Sequence, residues 1–194
     1  MANDCAIMTD VKSVYQLNDE SVVNCLLSGG VVAARTDTLY GLLAKAGDEA
    51  AVEKVYQIKG RDADKSPIVL IADRTQLYDQ PSLELSRLMD KKWPGKISII
   101  APSINAPDWL KRSNQSVAYR LPDDDKLRQL IFSTGPLIAP SANPQGELPA
   151  ASVDQAKNYF GEQVGVYVDG GVVDDDSPSQ LLRVLDDGSV ERLR

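Results

Sequence analysis

Short apolar runs alternate with amphipathic, helix-like segments along most of this chain, and no other feature constrains its fold as strongly. Residues 18–28 predict the first helix, which Asn18 or Asp19 can cap and Gly29-Gly30 ends. A buried strand is predicted directly after it, at residues 30–34. The pattern then predicts further strands at 42–46, 67–72, 97–101, 116–121, 136–140 and 165–168, with helices at 48–58, 81–92, 123–132 and 152–160. Such alternation is typical of an α/β sheet with helices packed on it.

Two segments indicate that this sheet is mixed rather than purely parallel. Residues 180–185 and 190–193 predict a hairpin with a turn at Asp186-Asp187-Gly188. The proline-rich segment 102–109 interrupts the alternation. A chain of 194 residues is long enough for one domain with a full core. We therefore predict an α/β fold in which residues 1–194 form a single domain, a twisted mixed sheet with flanking helices.

The composition excludes several classes of active site. The chain has no histidine, so Ser-His-Asp triads, Cys-His nucleophile pairs and histidine-containing zinc sites are excluded. Cys5 and Cys25 are too few for a metal cluster; Cys25 is predicted to lie in the core, and a disulfide between the two is disfavoured in the cytoplasm. We find no signal peptide and no apolar run approaching about 18 residues, so we predict a cytoplasmic protein without a membrane span. The net charge of −7 disfavours extended, non-specific binding to nucleic acid, but a local basic cleft stays open.

Two pairs of polar residues are candidates for a site that holds a phosphorylated ligand. Lys59 and Arg61 follow a predicted helix, and Ser141 and Asn143 follow a predicted buried strand. Cations neutralise phosphate charge, while a hydroxyl and an amide fix the orientation of a ligand. Spacing alone favours simpler roles: cations at a helix C-terminus complement its dipole, and Ser and Asn side chains stabilise turns.

Other polar residues leave two interpretations open. Thr36, Thr38 and Tyr40 follow a strand, where α/β proteins often bind ligands, but the segment also suits a solvated turn. Arg120 ends a predicted strand and could face solvent or bind a carboxylate or phosphate. The acidic runs 123–125 and 174–176 are interpreted as solvated, so we predict no metal site made of protein side chains. Dinucleotide-binding and P-loop glycine motifs are absent.

Seven short motifs, in order, resemble the YrdC-type family, and specifically its short bacterial branch, which lacks an additional C-terminal domain. The resemblance extends over about residues 20–185. The motifs are Thr-Asp-Thr-Leu-Tyr-Gly (36–41), Lys-x-Arg (59–61), Trp-Pro-Gly (93–95), Val-Ala-x-Arg (117–120), Ala-Pro-Ser-Ala-Asn (139–143), Asp-Gly-Gly (169–171) and Pro-Ser (178–179).

The resemblance implies a threonylcarbamoyl-AMP synthase, a nucleotidyltransferase that joins L-threonine, bicarbonate and ATP with release of pyrophosphate. Other proteins then transfer the threonylcarbamoyl group to the adenosine beside the tRNA anticodon. The family fold is a twisted α/β sheet with a wide, basic, concave cleft. We further expect a monomer or weak dimer.

The resemblance also implies roles for individual residues. Lys59 and Arg61 are expected to hold the ATP phosphates with Mg²⁺, and Ser141 and Asn143 to bind the nucleotide; these four form the predicted catalytic group. The residues expected to bind L-threonine are Thr36, Thr38, Tyr40, Arg120 and Ser179, with Arg120 at the carboxylate and Tyr40 closing the pocket.

The chain departs from the family pattern at a few positions. Arg35 and Asp62 stand where proline is usual, Leu70 stands near a common histidine, proline is replaced around Asp124-Asp125, and the late Ser-Thr-x-x-Asp pattern survives only as Ser179. These changes leave the amino-acid specificity open. Two alternatives also remain: carbamoyl-adenylate chemistry with another acceptor, and a non-enzymatic module that binds RNA or the ribosome.

Overall fold

A computed structural model describes residues 11–174, 177–185 and 187–194. These residues form ten strands and six α-helices. The strands are β1 Ser13–Val14, β2 Val32–Arg35, β3 Tyr40–Lys45, β4 Ile68–Leu70, β5 Ile97–Pro102, β6 Ser116–Arg120, β7 Leu137–Ile138, β8 Val166–Val168, β9 Gln180–Val184 and β10 Val190–Arg192. The helices are α1 Glu20–Leu27, α2 Glu49–Lys59, α3 Leu83–Lys92, α4 Asp108–Lys111, α5 Asp125–Thr134 and α6 Val153–Phe160, with short 3₁₀ turns at Arg74–Gln76 and Gly161–Gln163.

The strands form one mixed sheet in the order β1-β8-β2-β3-β7-β4-β6-β5-β9-β10. The pairs β1–β8, β2–β8, β4–β6 and β5–β9 are parallel. The pairs β2–β3, β3–β7, β4–β7, β5–β6 and β9–β10 are antiparallel. The predicted mixed α/β sheet with flanking helices is therefore confirmed.

Polar side chains set where most of the helices begin. The carboxylates of Asp19, Asp48 and Asp124 accept backbone N–H bonds at the starts of α1, α2 and α5, and the hydroxyls of Ser82 and Ser152 do the same for α3 and α6. These bonds satisfy N–H groups that have no partner inside the helix. Asp19 is one of the two caps that the sequence predicted for α1, and Asp48 is the first residue of the range 48–58 predicted for α2.

The two faces of the sheet bury different residues of the same strands. In β2, Ala33 packs into one core with helices α2, α3, α4 and α6, whereas Val32 and Ala34 pack into a second core with α1 and α5. Such alternation follows from the two-residue period of a strand. In β6 and β5, Val117, Tyr119, Ile99 and Ala101 belong to the first core. Arg120 and Ser98 alternate with them along their strands and therefore point to the opposite face.

Several predicted boundaries were wrong. Strand β3 begins at Tyr40 rather than at residue 42, so the polar loop is shorter than expected. Strand β7 spans only Leu137–Ile138, because prolines at 136 and 140 cannot donate to a ladder. Strand β1 and helix α4 were not predicted.

Three other expectations concern the terminal hairpin, the cysteines and membrane-spanning segments. The hairpin of β9 and β10 is confirmed, although Asp186 of its turn lies outside the described residues. The thiol of Cys25 is free and only half-buried, and Cys5 also lies outside the described residues. In the part of the chain that the structure covers, every helix is too short or too polar to cross a bilayer.

Candidate active site

A cavity of about 410 Å³ is lined by residues at or next to the ends of several strands. It brings together seven of the nine residues predicted for the site, and the other two, Lys59 and Asn143, contact Ser141 or its neighbours. The lining residues are Thr36, Thr38, Leu39, Tyr40, Gly41, Arg61, Ile68, Arg120, Ala139, Pro140, Ser141, Pro149, Pro178, Ser179 and Arg194. No Asp or Glu side chain belongs to this described lining.

Lys59 connects the Lys-x-Arg motif to the Ser-x-Asn segment through hydrogen bonds. Its side chain is buried, and its Nζ donates to the backbone oxygen of Ser141, to that of Asn143 at 2.5 Å, and to Asn143 Oδ1 at 3.2 Å. Burial, assisted by the charge of Arg61, lowers the pKa of Lys59 to about 8. The interpretation of Lys59 as a surface charge at a helix end is therefore wrong.

The Ser-x-Asn segment is itself held in one conformation. Ser141 Oγ donates to Asn143 Oδ1 at 2.6 Å, and Asn143 Nδ2 donates to the backbone oxygen of Glu147 at 2.7 Å. The backbone N–H of Ala142 donates to the oxygen of Tyr40 at 2.8 Å, which ties the segment to β3. Asn143 thus stabilises the turn, as its simpler interpretation predicted, while Ser141 also lines the cavity.

Gln145 links the same segment to the Lys-x-Arg turn. Its backbone N–H donates to the oxygen of Lys59 at 2.8 Å, and its Oε1 accepts the N–H of Asp62 at 2.9 Å. Proline has no N–H, so a proline at position 62 could not form the second bond. Asp62 therefore adds a contact between the two motifs.

Gln145→Ala is expected to lower the free energy of unfolding by about 1 kcal/mol, because it removes the acceptor of the Asp62 N–H. Urea unfolding measures the change. Gln129→Ala, at an exposed position of α5, is the matched control and should have a smaller effect. Equal effects of the two substitutions would contradict this role of Gln145.

Arg61 reaches the cavity from the start of the segment after α2. Its Nη2 donates to the backbone oxygen of Ser66 at 3.2 Å, and its guanidinium lies 5.5 Å from the ring centroid of Tyr56. A second guanidinium, that of Arg112, lies 4.0 Å from the same centroid. Contacts between guanidinium groups and aromatic rings are favourable, so Tyr56 helps to fix the position of Arg61.

Arg120 is buried in the wall of the cavity rather than facing solvent. Its Nη2 lies 3.1 Å from Asp37 Oδ1, and the two side chains are 5% and 4% exposed. Its Nη1 donates to Thr38 Oγ1 at 3.4 Å. Burial lowers the pKa of Arg120 and raises that of Asp37, while each charge favours the ionised form of the other.

The hydroxyls of Thr36 and Thr38 continue this network. Thr36 Oγ1 donates to the backbone oxygen of Leu39 at 2.9 Å, so its 3.1 Å contact with Thr38 Oγ1 is donated by Thr38. The hydrogen bonds therefore run in one direction, from Arg120 through Thr38 and Thr36 to the backbone. The segment is an ordered part of the cavity wall, not a solvated turn.

Tyr40, which follows Thr36 and Thr38 in the chain, holds the Asp-Gly-Gly loop (169–171) in place. Its hydroxyl donates to the oxygen of Gly171 at 2.8 Å and accepts the N–H of Gly170 at 3.0 Å. Arg35 Nη1 donates to the oxygens of Gly170 and Val172, each at 3.1 Å. Burial raises the pKa of Tyr40. Arg35, which replaces the usual proline, therefore contributes a second attachment for the loop.

Arg194 is a cation of the cavity that the sequence analysis missed. Its Nε donates to the backbone oxygen of Ser179 at 3.0 Å and its Nη2 to Ser179 Oγ at 3.3 Å. The predicted hairpin was the available signal, because pairing β10 with β9 places residue 194 beside residue 179. Burial and the nearby charge of Arg61 lower the pKa of Arg194.

Three guanidinium groups therefore line one cavity: Arg61, Arg120 and Arg194. Arg194 lowers the pKa of Arg120, and Arg61 lowers that of Arg194, so the cations repel one another. Such repulsion, in a cavity whose described lining holds no Asp or Glu side chain, is relieved by an anionic ligand. The site can neutralise an anion with several charges and orient it through the hydroxyls of Ser141 and Ser179.

Comparisons with known protein sequences agree with the motifs. The sequence profile of the Sua5_yciO_yrdC family, described as telomere recombination, matches residues 24–194. The chain is 30% identical over 185 residues to a threonylcarbamoyl-AMP synthase of Marinobacter nauticus, covering 92% of this chain and 97% of the relative. It is 35% identical over 189 residues to that of Bacillus subtilis, covering 92% of this chain and 54% of the relative.

Comparisons with solved structures agree with the fold. The Pyrococcus abyssi Sua5 protein, crystallised in complex with L-threonine, matches with a TM-score of 0.83 and 29% identity over 94% of this chain. The match spans 56% of the Sua5 chain. Escherichia coli YciO matches with a TM-score of 0.80 and 22% identity, covering 94% of this chain and 93% of YciO.

Proposed function

Because the chain belongs to the Sua5/YciO/YrdC family, we propose that it synthesises L-threonylcarbamoyl-adenylate from L-threonine, bicarbonate and ATP. One observation carries the proposal beyond the similarity. Arg61, Arg120 and Arg194 converge on one cavity whose described lining holds no Asp or Glu side chain, and the reaction must bring several anions together. The enzyme is a nucleotidyltransferase that serves the threonylcarbamoyladenosine modification of tRNA.

The reaction has two bond-forming steps. The ammonium group of L-threonine first loses a proton to solvent; the neutral amine then attacks the carbon of bicarbonate, and loss of one water leaves a carbamate. An oxygen of the carbamate then attacks the α-phosphorus of ATP, and the bond to the β-phosphate oxygen breaks to release pyrophosphate. Both steps unite negatively charged partners, so positioning and charge neutralisation are the contributions required of the protein.

The residues divide between the two substrates. Arg120 binds the carboxylate of L-threonine, and Thr36, Thr38, Tyr40 and Ser179 form the wall around the amino acid. Arg61 and Arg194 neutralise the phosphates, and Ser141 orients the nucleotide. Lys59 contributes a buried positive charge, and its three hydrogen bonds hold Ser141 and Asn143 in place.

The cavity fits a Mg²⁺ ion that is bound through the ATP phosphates. No Asp or Glu belongs to its described lining, and the described residues contain no group of three or more Asp, Glu or Cys side chains placed to hold a metal ion. Phosphate oxygens are ligands that Mg²⁺ prefers. When bound there, the ion would neutralise charge on the departing pyrophosphate.

The proposal also covers the downstream partners, the cellular location and the oligomeric state of the protein. The product is used by a tRNA threonylcarbamoyl transferase complex in the cytoplasm, and the protein acts as a monomer or weak dimer. The net charge of −7 supports transfer of a small adenylate rather than tight binding of tRNA by this chain.

Pyrophosphate release is expected to require both L-threonine and bicarbonate when the protein is incubated with ATP and Mg²⁺. Release is measured with and without each substrate, and with serine or carbamoyl phosphate in place of threonine. Pyrophosphate release with carbamoyl phosphate would indicate that the protein makes carbamoyl-adenylate instead. Absence of release from a folded protein that binds tRNA in a salt-dependent manner would replace the proposal with a binding module.

A further inference from the structure

Ser98 is a fully buried hydroxyl directly behind the cavity. It lies on β5, where its neighbour Ile99 belongs to the first hydrophobic core and Ser98 points to the opposite face. There its Oγ lies 2.9 Å from Ser179 Oγ. Ser98 does not line the cavity, whereas Ser179 does.

The direction of this hydrogen bond follows from the partners of each hydroxyl. A serine hydroxyl has one proton to donate and two lone pairs that accept. Among the described residues, the contact with Ser179 is the one hydrogen bond of the Ser98 side chain. Ser179 lines the cavity, where a ligand can accept its proton, and Ser98 does not, so both protons find acceptors when Ser98 donates to Ser179.

Ser179 is then saturated as an acceptor. Arg194 Nη2, which can only donate, points to Ser179 Oγ at 3.3 Å. Ser98 and Arg194 together occupy both lone pairs of the Ser179 hydroxyl. Its own proton has no acceptor within the described chain, and the open direction is the cavity that Ser179 lines.

We propose that Ser98 is a positioning residue, which orients the Ser179 hydroxyl as a hydrogen-bond donor to an anionic oxygen of the bound substrate. This inference rests on the proposed function. The oxygen belongs to the carboxylate of the amino acid or to a phosphate of the nucleotide. Ionised oxygens of either kind accept hydrogen bonds and cannot donate them, so a hydroxyl fixed as a donor selects the ionised ligand.

A double-mutant cycle tests the coupling. Ser98→Ala and Ser179→Ala are made singly and together, and the dissociation constants of L-threonine and of ATP are measured by calorimetry. Ser98→Ala is expected to raise one of these constants about three- to tenfold, as for loss of one oriented hydrogen bond. In the Ser179→Ala background the same substitution should have no further effect, because Ser98 acts through Ser179.

Two variants separate positioning from a general loss of stability. Ser98→Thr keeps a hydroxyl and should restore binding to within about twofold. Thr134→Val removes another buried hydroxyl, which donates to the Leu130 oxygen at 2.9 Å in α5, outside the lining of the cavity. It should leave both dissociation constants unchanged while lowering the urea midpoint by an amount similar to Ser98→Ala.

Each result has a definite meaning. A change confined to L-threonine assigns the anionic oxygen to the carboxylate, and a change confined to ATP assigns it to a phosphate. Additive effects of Ser98→Ala and Ser179→Ala, or no effect of Ser98→Ala on either ligand, would overturn the role of Ser98 and leave the proposed function intact. Failure of the unsubstituted protein to bind either ligand would overturn both.

Discussion

Arg120→Met is expected to lower the free energy of unfolding by about 3–5 kcal/mol, because it leaves the carboxylate of Asp37 buried without its cation. The two groups lie 3.1 Å apart, and their side chains are 5% and 4% exposed. Neither carboxylate oxygen of Asp37 has another hydrogen-bond donor in the described chain. Urea unfolding of the variant and the unsubstituted protein at pH 7 measures the difference.

The loss in free energy of unfolding caused by Arg120→Met is also expected to grow as pH rises. Burial raises the pKa of Asp37 and Arg120 opposes that increase, so the pKa rises further when the cation is removed. A carboxyl whose pKa is raised by folding contributes its full stability below its unfolded pKa of about 3.9, and that contribution is lost as pH rises through the folded pKa. The variant should therefore be nearest to the unsubstituted protein in mild acid.

Asp37→Asn, added to Arg120→Met, is the matched control. It removes the buried charge while keeping the shape, so it should recover most of the lost stability and abolish the additional pH dependence. A deficit below about 1 kcal/mol for Arg120→Met alone would mean that the ion pair is worth no more than a surface pair.

Local chemistry made the secondary structure largely predictable. Asp48 precedes an amphipathic segment that ends at Gly60, and the structure places α2 between the Asp48 cap and a left-handed Gly60 at φ 60°. Prolines mark where a predicted strand is longer than the observed one. Pro136 and Pro140 are the first and last residues of a predicted five-residue strand, of which Leu137 and Ile138 form the ladder of β7.

The burial of the cations was not predictable from local sequence. Lys59 in the last turn of α2 has the same local pattern as a surface lysine that complements the helix dipole. What buries it is the Ser141–Asn143 turn, about eighty positions away, which supplies three oxygen acceptors. The resemblance to a family implied that both motifs serve one nucleotide site, because it carries long-range information that spacing within one helix does not.

For the same reason, the sequence analysis did not identify Ser98 and Arg194 as residues of the site. Ser98 has the polar character of an edge position, yet it lies on a strand between β6 and β9. Arg194 follows a short hairpin strand with no motif around it. The chemistry of both depends on Ser179, which precedes β9, and this contact follows from the parallel pairing of β5 with β9 and the hairpin of β9 with β10.

The affinity for ATP is expected to weaken as pH rises through about 8, because Lys59 then loses its proton. Burial lowers the pKa of Lys59 to about 8 in the free protein, and a bound phosphate raises it again by favouring the ammonium. At pH values above the pKa of about 8 that Lys59 has in the free protein, ATP binding requires Lys59 to take up a proton. The dissociation constant of ATP should therefore increase by up to about tenfold per pH unit. Calorimetry between pH 7 and pH 9, without threonine, measures this dependence.

Lys59→Met and Arg61→Ala separate the contributions of the two cations. Lys59→Met should bind ATP at least about tenfold more weakly at pH 7 and show no increase in the dissociation constant up to pH 9. Arg61→Ala should also bind weakly but keep the pH dependence, because arginine does not titrate in this range and Lys59 is still present. Both variants should unfold cooperatively in urea. A pH dependence that survives in Lys59→Met would identify another titrating group, and full pyrophosphate release by both variants would remove Lys59 and Arg61 from the phosphate site.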